Sequence, residues 1–303
     1  MKIKFLGDSF VWGQGLDWYD YGFPNSWMFH MDIQDYDVLK KAHGGLDNIF
    51  KYPYEKVDSD DIRVKRYYNM IQHRFSTKVA KHFNATCYQR FANGGSPSDS
   101  IKLLNTDLDE DVVIFLISDY RRDQWGHHLD SKPEYLSKLS QDSFTKLILI
   151  DMIDELRLKA QKTGHKQLAT YYRDDLIRLL DKNDIWDLQK DWYKVLFEYL
   201  KDWVEKNKKE IYFLGSWLTD GKNLMDCDEP EIQWYKDRVI PFNYNDKTYY
   251  SFYEIQGECK GMRIDNTLSI NRDDDHPSLE LNNIVAENII NFLEEKLNDK
   301  KNN

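Results

Sequence analysis

Short apolar segments separated by helical patterns are the feature that most restricts how this chain of 303 residues can fold. Three segments are short, mainly apolar and bounded by charge or Gly, as expected of strands buried on both faces: Ile3–Leu6, Val112–Ile117 and Ile211–Leu214. Thr86–Phe91, which stands between a helical pattern and a Gly-rich turn, is predicted as a fourth strand. Because helical segments connect these strands, the sequence predicts an α/β fold with a doubly wound parallel sheet flanked by helices.

The segments between the strands are mainly helical in pattern. Arg63–Phe83 repeats an apolar residue every four positions, which predicts a helix with one apolar stripe, and the last helix is predicted from about Ser278 to Leu297. The aromatic and acidic stretch Leu16–Ile62 is interpreted as a loop region. Residues 132–208 are almost wholly helical in pattern, and we interpret them as a helical insertion or cap within a single domain of residues 1–303.

Charge and hydropathy exclude several classes of partner. The net charge of −10 repels a phosphate backbone, so no nucleic-acid partner is expected. No apolar run approaches the length of a membrane span, and the first residues lack the apolar core of a signal peptide. The sequence therefore predicts a cytoplasmic protein with no membrane partner, and it leaves the oligomeric state open.

Cofactor and metal motifs are weak in this sequence. The three cysteines are widely spaced and form no C-x-x-C pair, so we interpret them as reduced thiols. The glycines fit neither a dinucleotide-binding nor a Walker pattern. His127-His128 and the acidic run Asp273–Asp275 are interpreted as solvated surface groups. We therefore expect no cofactor and no metal.

Both ends of the chain carry residues suited to nucleophilic catalysis. Gly7-Asp8-Ser9 follows the first predicted strand, where a serine is exposed at the sheet edge that collects ligands. Near the other end, Asp273 precedes His276 by three residues, so its carboxylate can orient the imidazole that takes the proton of Ser9. The alternatives are a turn that ends the strand and an acidic turn in which Asp275 caps the last helix.

Together these two motifs resemble the SGNH (GDSL-like) hydrolases, which carry Gly-Asp-Ser after the first strand and Asp-x-x-His-Pro before the last helix. Gly7-Asp8-Ser9 matches the first block, and Asp273-x-x-His276-Pro277 matches the last. The extended form from Gly7 to Gly15 resembles bacterial and phage members, which suggests a phage-encoded protein. The resemblance implies a flavodoxin-like three-layer fold and a catalytic triad of Ser9, Asp273 and His276.

The middle blocks of the family supply the oxyanion hole, together with the amide of the nucleophile, Ser9. Asn93–Ser98 is similar to the second block, with Gly95 as the predicted amide donor and Gly94 as the alternative, since spacing does not separate them. The third block departs from the pattern, because Ser118 stands where the family has Asn. Losing one oxyanion donor typically lowers the rate about 100- to 1,000-fold, so this departure bears directly on activity.

The expected activity is hydrolysis of a small-molecule or carbohydrate ester, for which the resemblance implies small acyl groups. Asp8, Trp12, Gly94, Arg121 and Arg122 are candidate substrate-binding residues. Aromatic side chains near Ser9 could stack on sugar rings, which makes an O-acetylated glycan the preferred substrate, although loop aromatics more often pack the loop against the domain. For the arginines a solvated loop is an equal alternative. Two other functions use the same residues differently: acyl transfer to a sugar hydroxyl, and a non-catalytic scaffold or glycan-binding protein.

Overall fold

The structure is a computed structural model that describes most of the chain. The described residues are 1–7, 33–45, 51–54, 58–91, 96–106, 109–118, 133–179, 182–216, 221–255 and 279–302.

Seven strands in the described part of the chain form two sheets. In chain order the strands are β1 (Lys2–Gly7), β2 (Lys51–Tyr52), β3 (Thr86–Phe91), β4 (Val112–Ile117), β5 (Glu210–Gly215), β6 (Phe242–Tyr244) and β7 (Lys247–Tyr249). The main sheet has the order β2-β3-β1-β4-β5, in which only β2 is antiparallel, and β6 pairs with β7 in a separate hairpin. The prediction of a mainly parallel α/β sheet is confirmed, and the four predicted strands lie within one residue of the observed ones.

Eleven α-helices and one 3-10 helix lie in the described residues. They are α1 (Ile33–His43), α2 (Ile62–His73), α3 (Phe75–His82), α4 (Pro97–Leu104), the 3-10 helix (Glu134–Lys138), α5 (Gln141–Lys162), α6 (Lys166–Leu179), α7 (Lys182–Asn207), α8 (Gly221–Met225), α9 (Pro230–Lys236), α10 (Phe252–Ile255) and α11 (Leu279–Asn302).

Helices cover both faces of the main sheet. Side chains alternate along β1, so Ile3 and Phe5 share one face and join the apolar core formed with α3 and α11. Lys4 points to the opposite face, where its ammonium contacts the carbonyl oxygens of Leu104 (3.3 Å) and Thr106 at the end of α4. Its partner carboxylate is Glu110, with the two charged atoms 3.4 Å apart and both side chains fully buried. A cation here compensates the negative end of α4.

The predicted helix of Arg63–Phe83 is interrupted, which corrects that expectation. Arg74 adopts an extended conformation (φ −59°, ψ 138°) that ends α2 and starts α3. Arg74 is buried and donates a hydrogen bond to the side chain of Gln89 in β3, while the amide of Phe75 donates to Asn282 Oδ1 at 3.1 Å. Asn282 thus replaces the helical hydrogen bond that the Phe75 amide loses at the break, and Gln89 is a partner for the buried guanidinium of Arg74.

Three other features differ from the sequence interpretation. The region Leu16–Ile62 contains α1 and β2, and the last helix continues past Leu297 to Asn302. The β6–β7 hairpin was not predicted, although its turn residues Asn245 and Asp246 both have positive φ, at 50° and 59°. Asn and Asp tolerate this conformation better than most residues, which suits a two-residue hairpin turn.

The chain divides into two compact units. The first takes in residues 1–118, 209–222 and 238–303 and contains the main sheet. The second takes in residues 119–208 and 223–237, and its described part contains no strand. Its core includes a stacked pair of rings from α7 and α9, Phe197 and Tyr235, with centroids 4.5 Å apart. The interpretation of residues 132–208 as an insertion within one domain stays a prediction.

No helix among the described residues is both long enough and apolar enough to cross a membrane.

The contact between Asn282 and Phe75 generates a stability prediction. We expect Asn282→Ala to lower the free energy of unfolding by about 1–3 kcal/mol, because it leaves the buried amide of Phe75 without its acceptor. Asn283→Ala is the matched control: Asn283 is exposed and adjacent in α11, and its loss should change stability by less than about 0.5 kcal/mol. Urea denaturation followed by circular dichroism measures both, and equal losses would contradict the capping role.

Candidate active site

The strand order defines the position at which a ligand is expected. From β1 the chain moves to β3 on one side, whereas β4 and β5 lie on the other side of β1. This reversal creates a switch point between β1 and β4, and in open parallel sheets ligands bind there, outside the carboxyl ends of the strands. Those ends are Gly7 and Ile117. We call this region the carboxyl edge of the sheet.

Ser118 lies directly after β4 at the carboxyl edge. Its side chain is buried, with 4% of the residue exposed. On the adjacent strand, the amide of Ser216 donates to the carbonyl oxygen of Ile117 at 2.8 Å, which continues the β4–β5 pairing past the last ladder residue. Ser118 and Ser216 therefore follow the ends of neighbouring strands at equivalent positions, and both bring a hydroxyl group to this edge.

A capping box fixes the start of α4, which follows the Gly-rich sequence of Gly94 and Gly95. Asp99 N donates to Ser96 Oγ and Ser96 N donates to Asp99 Oδ2, both at 3.2 Å, and Pro97 occupies the first turn. Partial burial acts to raise the pKa of Asp99, but the hydrogen bonds from Ser96 and the contact with Lys102 outweigh it and hold the pKa below its ordinary value. The ionised carboxylate thus stabilises the helix start that follows Gly94 and Gly95 in the sequence.

A short segment packs against the end of β5. Gly215 forms a bridge with Ser251, and a Cβ at Gly215 would lie 2.3 Å from the carbonyl oxygen of Tyr250. Only glycine permits this close approach. Ser251 Oγ accepts from the amide of Glu254 at 3.2 Å and starts α10. The sequence interpretation missed α10, although Ser251 and Glu254 have the S-x-x-E spacing that is typical of helix starts.

The last helix begins at the same edge. The turn after α3 leads into the amino end of β3. The start of α3 lies farther along β3, because Ser76 Oγ accepts a hydrogen bond from Gln89 Nε2 at 2.8 Å. α3 therefore starts towards the carboxyl edge. α11 runs in the same direction, because Asn282 contacts the first residue of α3 and Glu294 contacts its last residue, His82, at 2.8 Å. The start of α11 thus lies near the carboxyl edge.

Most of the predicted site residues lie outside the described residues. Ser118 is described, at the carboxyl edge. The triad residues Ser9, Asp273 and His276, the oxyanion-hole residues Gly94 and Gly95, and the candidate substrate-binding residues Asp8, Trp12, Arg121 and Arg122 lie outside. The structure does describe the chain beside several of them: Gly7 precedes Ser9 by two residues, Ser96 follows Gly95 directly, and Leu279 follows His276 by three residues.

The described cysteines are poorly suited to act as nucleophiles. Cys87 is fully buried in β3, and burial raises the pKa of its thiol. Burial, followed by the nearby charge of Glu229, also raises the pKa of Cys227. Both thiols are therefore protonated at neutral pH and are weak nucleophiles. No cluster of three or more metal-ligating side chains occurs in the described part of the chain.

An open cleft of about 340 Å³ lies elsewhere, between β6 and α11. One of its polar side chains, Asn288, is already engaged: it accepts from Asn243 N at 2.9 Å and donates to Ile284 O at 2.9 Å. The lining contains no serine, cysteine or histidine and so offers no nucleophile with a base. The lining residues are Pro241, Asn243, Tyr244, Ile284, Glu287, Asn288, Asn291, Phe292 and Glu295.

Comparison with known proteins gives two structural similarities. No family model matches the sequence, and no curated protein matches it. Among solved structures, the chain is similar to a carbohydrate esterase whose active site displays divergent catalytic and non-catalytic binding functions, with 12% identity over 97% of this chain and a TM-score of 0.36. It is also similar to a family two carbohydrate esterase from Clostridium thermocellum in complex with cellohexaose, with 11% identity over 98% of this chain and a TM-score of 0.29. The chain spans 64% of the length of each of these structures.

Proposed function

We propose that this protein is a serine ester hydrolase whose nucleophile is Ser9. The observation that carries the proposal is the switch point between β1 and β4, since Ser9 follows the end of β1 by two residues in the sequence. His276 precedes α11 by three residues, and α11 starts near the same edge. Both ends of the chain therefore lead to one edge, where a parallel α/β sheet places its ligands.

The proposed reaction follows the serine hydrolase scheme. His276 takes the hydroxyl proton as Ser9 Oγ attacks the acyl carbonyl, and Asp273 stabilises the imidazolium that forms. The imidazolium then gives the proton to the departing alcohol, leaving an acyl group on Ser9. Water, deprotonated by His276, attacks this ester, releases the acid and restores the serine hydroxyl. The amides of Ser9 and Gly95 hold the oxyanion in both halves, and Gly94 is the alternative donor.

Ser118 is proposed as the third oxyanion donor. Its buried position at the end of β4 supports this role, because a hydroxyl shielded from water gives a stronger hydrogen bond to a developing charge than an exposed one. A serine side chain is shorter than the asparagine that SGNH hydrolases carry there. A substrate bound by this protein must therefore approach the end of β4 closely for the hydroxyl to reach its oxyanion.

An O-acetylated carbohydrate is the proposed substrate class. Trp12, three residues after Ser9, supplies a ring of the kind that stacks on sugars, and Asp8, Arg121 and Arg122 supply polar groups for hydroxyls. Acyl transfer to a sugar hydroxyl would use the same acyl-enzyme with a different acceptor, so product analysis by mass spectrometry separates the two reactions.

One observation favours a second candidate function, glycan binding without catalysis. Ser118 replaces the asparagine of the SGNH pattern, and a protein that only binds its ligand has no need of a strong oxyanion hole. Retention of Ser9, Asp273 and His276 favours the hydrolase instead. Binding of an O-acetylated glycan that persists without any release of acetate would identify the binding protein.

Replacement of the triad residues tests the hydrolase directly. We expect Ser9→Ala and His276→Ala each to lower hydrolysis of p-nitrophenyl acetate by at least about 1,000-fold, because the residues of a triad act as a unit.

Ser137→Ala, at an exposed serine of the 3-10 helix, is the control and should retain full activity. Circular dichroism establishes that each variant is folded. If Ser9→Ala hydrolyses the ester as fast as the wild type, Ser9 is not the nucleophile.

The pair Ser118 and Ser216 tests the third oxyanion donor. We expect Ser118→Ala to lower kcat about 100-fold with little change in KM, because the lost hydrogen bond acts mainly in the transition state. Ser216 follows the neighbouring strand and is also buried, so Ser216→Ala removes a comparable hydroxyl and should leave kcat within about threefold. Equal losses in the two variants would point to general destabilisation of the edge.

A further inference from the structure

Exposed large apolar side chains are concentrated on one helical hairpin, formed by α5 and α6. Eleven large apolar residues in the described part of the chain are exposed, and eight of them belong to these two helices. Monomeric proteins expose such residues singly, so a concentration of this kind indicates an interaction surface. The eight residues are Leu149, Met152, Leu156, Leu158, Leu168, Tyr171, Ile177 and Leu179.

Helical geometry divides these residues between two sides of the hairpin. Leu149, Met152 and Leu156 have the three- and four-residue spacing that forms one stripe along α5. Leu168, Tyr171 and Leu179 form a corresponding stripe along α6.

The two stripes lie on the same side of the hairpin. Ala160 and Ala169 are buried next to the turn, where the helices face each other. Successive residues of an α-helix are turned by about 100° around its axis. By this count, the exposed apolar stripe of each helix is turned roughly 80° away from the more buried stripe of the same helix, and the direction is the same for both helices when each is viewed from its amino end. Because the two helices are antiparallel, equal rotations place both exposed stripes on the same side of the hairpin. We call these six residues the α5–α6 face, whereas Leu158 and Ile177 point to the opposite side.

The charge of the hairpin permits contact with an identical copy. The chain as a whole carries a net charge of −10, which opposes self-association. Residues 141–179, by contrast, contain six acidic and seven basic residues. Two copies of this nearly neutral segment can approach without strong repulsion. Its excess of one cation is too small to attract an anionic lipid surface or a nucleic acid strongly.

The dimensions of the face are sufficient for a small dimer interface. α5 has 22 residues and is therefore about 33 Å long. α6 has 14 residues and is about 21 Å long. With each helix about 10 Å wide, the two helices together present roughly 540 Å². Two copies packed face to face would bury about 1,080 Å² in total, above the roughly 1,000 Å² that a specific interface should exceed.

We propose that the α5–α6 face is a homodimer interface, in which two hairpins pack around a two-fold axis to form a four-helix bundle. Such bundles bury one apolar stripe from each helix, which is what the face supplies. A two-fold axis brings the same surface of each copy together, so one apolar face satisfies both partners. The proposal does not depend on the ester hydrolase activity.

Analytical ultracentrifugation of the full chain tests the proposal. At about 50 µM the wild type should sediment as a dimer, because the α5–α6 face is large enough for a specific interface. Met152→Glu combined with Leu156→Glu should raise the dimer dissociation constant at least about 100-fold, because each copy would bury two unpaired carboxylates. Circular dichroism should show unchanged helix content.

Leu158→Glu is the matched control, since Leu158 lies on α5 and is 41% exposed against 43% for Met152. This variant should dimerise like the wild type. A monomeric wild type overturns the proposal, as does equal dissociation in the control. Cosedimentation of a monomeric wild type with phosphatidylcholine vesicles would assign the face to a membrane surface and would likewise overturn it.

Discussion

The burial of β1 between β3 and β4 is the constraint on which the rest of the first unit depends. β1 pairs in parallel with both neighbours, so each of its faces must be covered by helices that connect parallel strands. One face is covered by α3 and α11, and α4 lies on the other, where Lys4 contacts its last turn. Loss of either partner of the fully buried pair Lys4 and Glu110 is expected to be strongly destabilising, because the remaining charge would lose its counter-ion.

This central position also determines where chemistry can take place. The chain leaves β1 in one direction and returns to place β4 on its other side, so the carboxyl ends of these two strands flank the switch point. Ser118 is held there by β4, and the segments that contain Ser9 and His276 adjoin described elements that end or begin near this edge. The proposed site therefore draws on residues far apart in the sequence.

The strands were predictable because burial on both faces leaves a clear apolar signature. Val112–Ile117 is apolar throughout and is fully covered by the fold. The break at Arg74 was not predictable, since the four-residue apolar repeat runs through it and the cause is tertiary. Asn282 accepts from the Phe75 amide that the helix leaves free, and Gln89 accepts from the buried guanidinium of Arg74. Local signals did exist for β6–β7 and for α10, in the Asn245-Asp246 turn and in the spacing of Ser251 and Glu254.

Some features of the candidate site could likewise be predicted from the sequence, and others could not. Motifs at the two ends of the chain nominate Ser9 and His276, because residue type and spacing carry that information. The burial of Ser118 and its equivalence to Ser216 depend on the pairing of β4 with β5, and the sequence contains no local sign of either. The α5–α6 face was also missed, because a helical pattern alone does not show which of two apolar sides the fold covers.

The most direct test of Ser9 as the nucleophile is covalent labelling with a fluorophosphonate, followed by peptide mass spectrometry. The reagent phosphonylates an activated serine and releases fluoride, so it reports nucleophilicity without any assumption about the natural ester. We expect one adduct per chain on the peptide that contains Ser9, none at that position in Ser9→Ala, and strongly slowed labelling in His276→Ala. An unlabelled wild type, or an adduct on a different serine, would contradict the assignment.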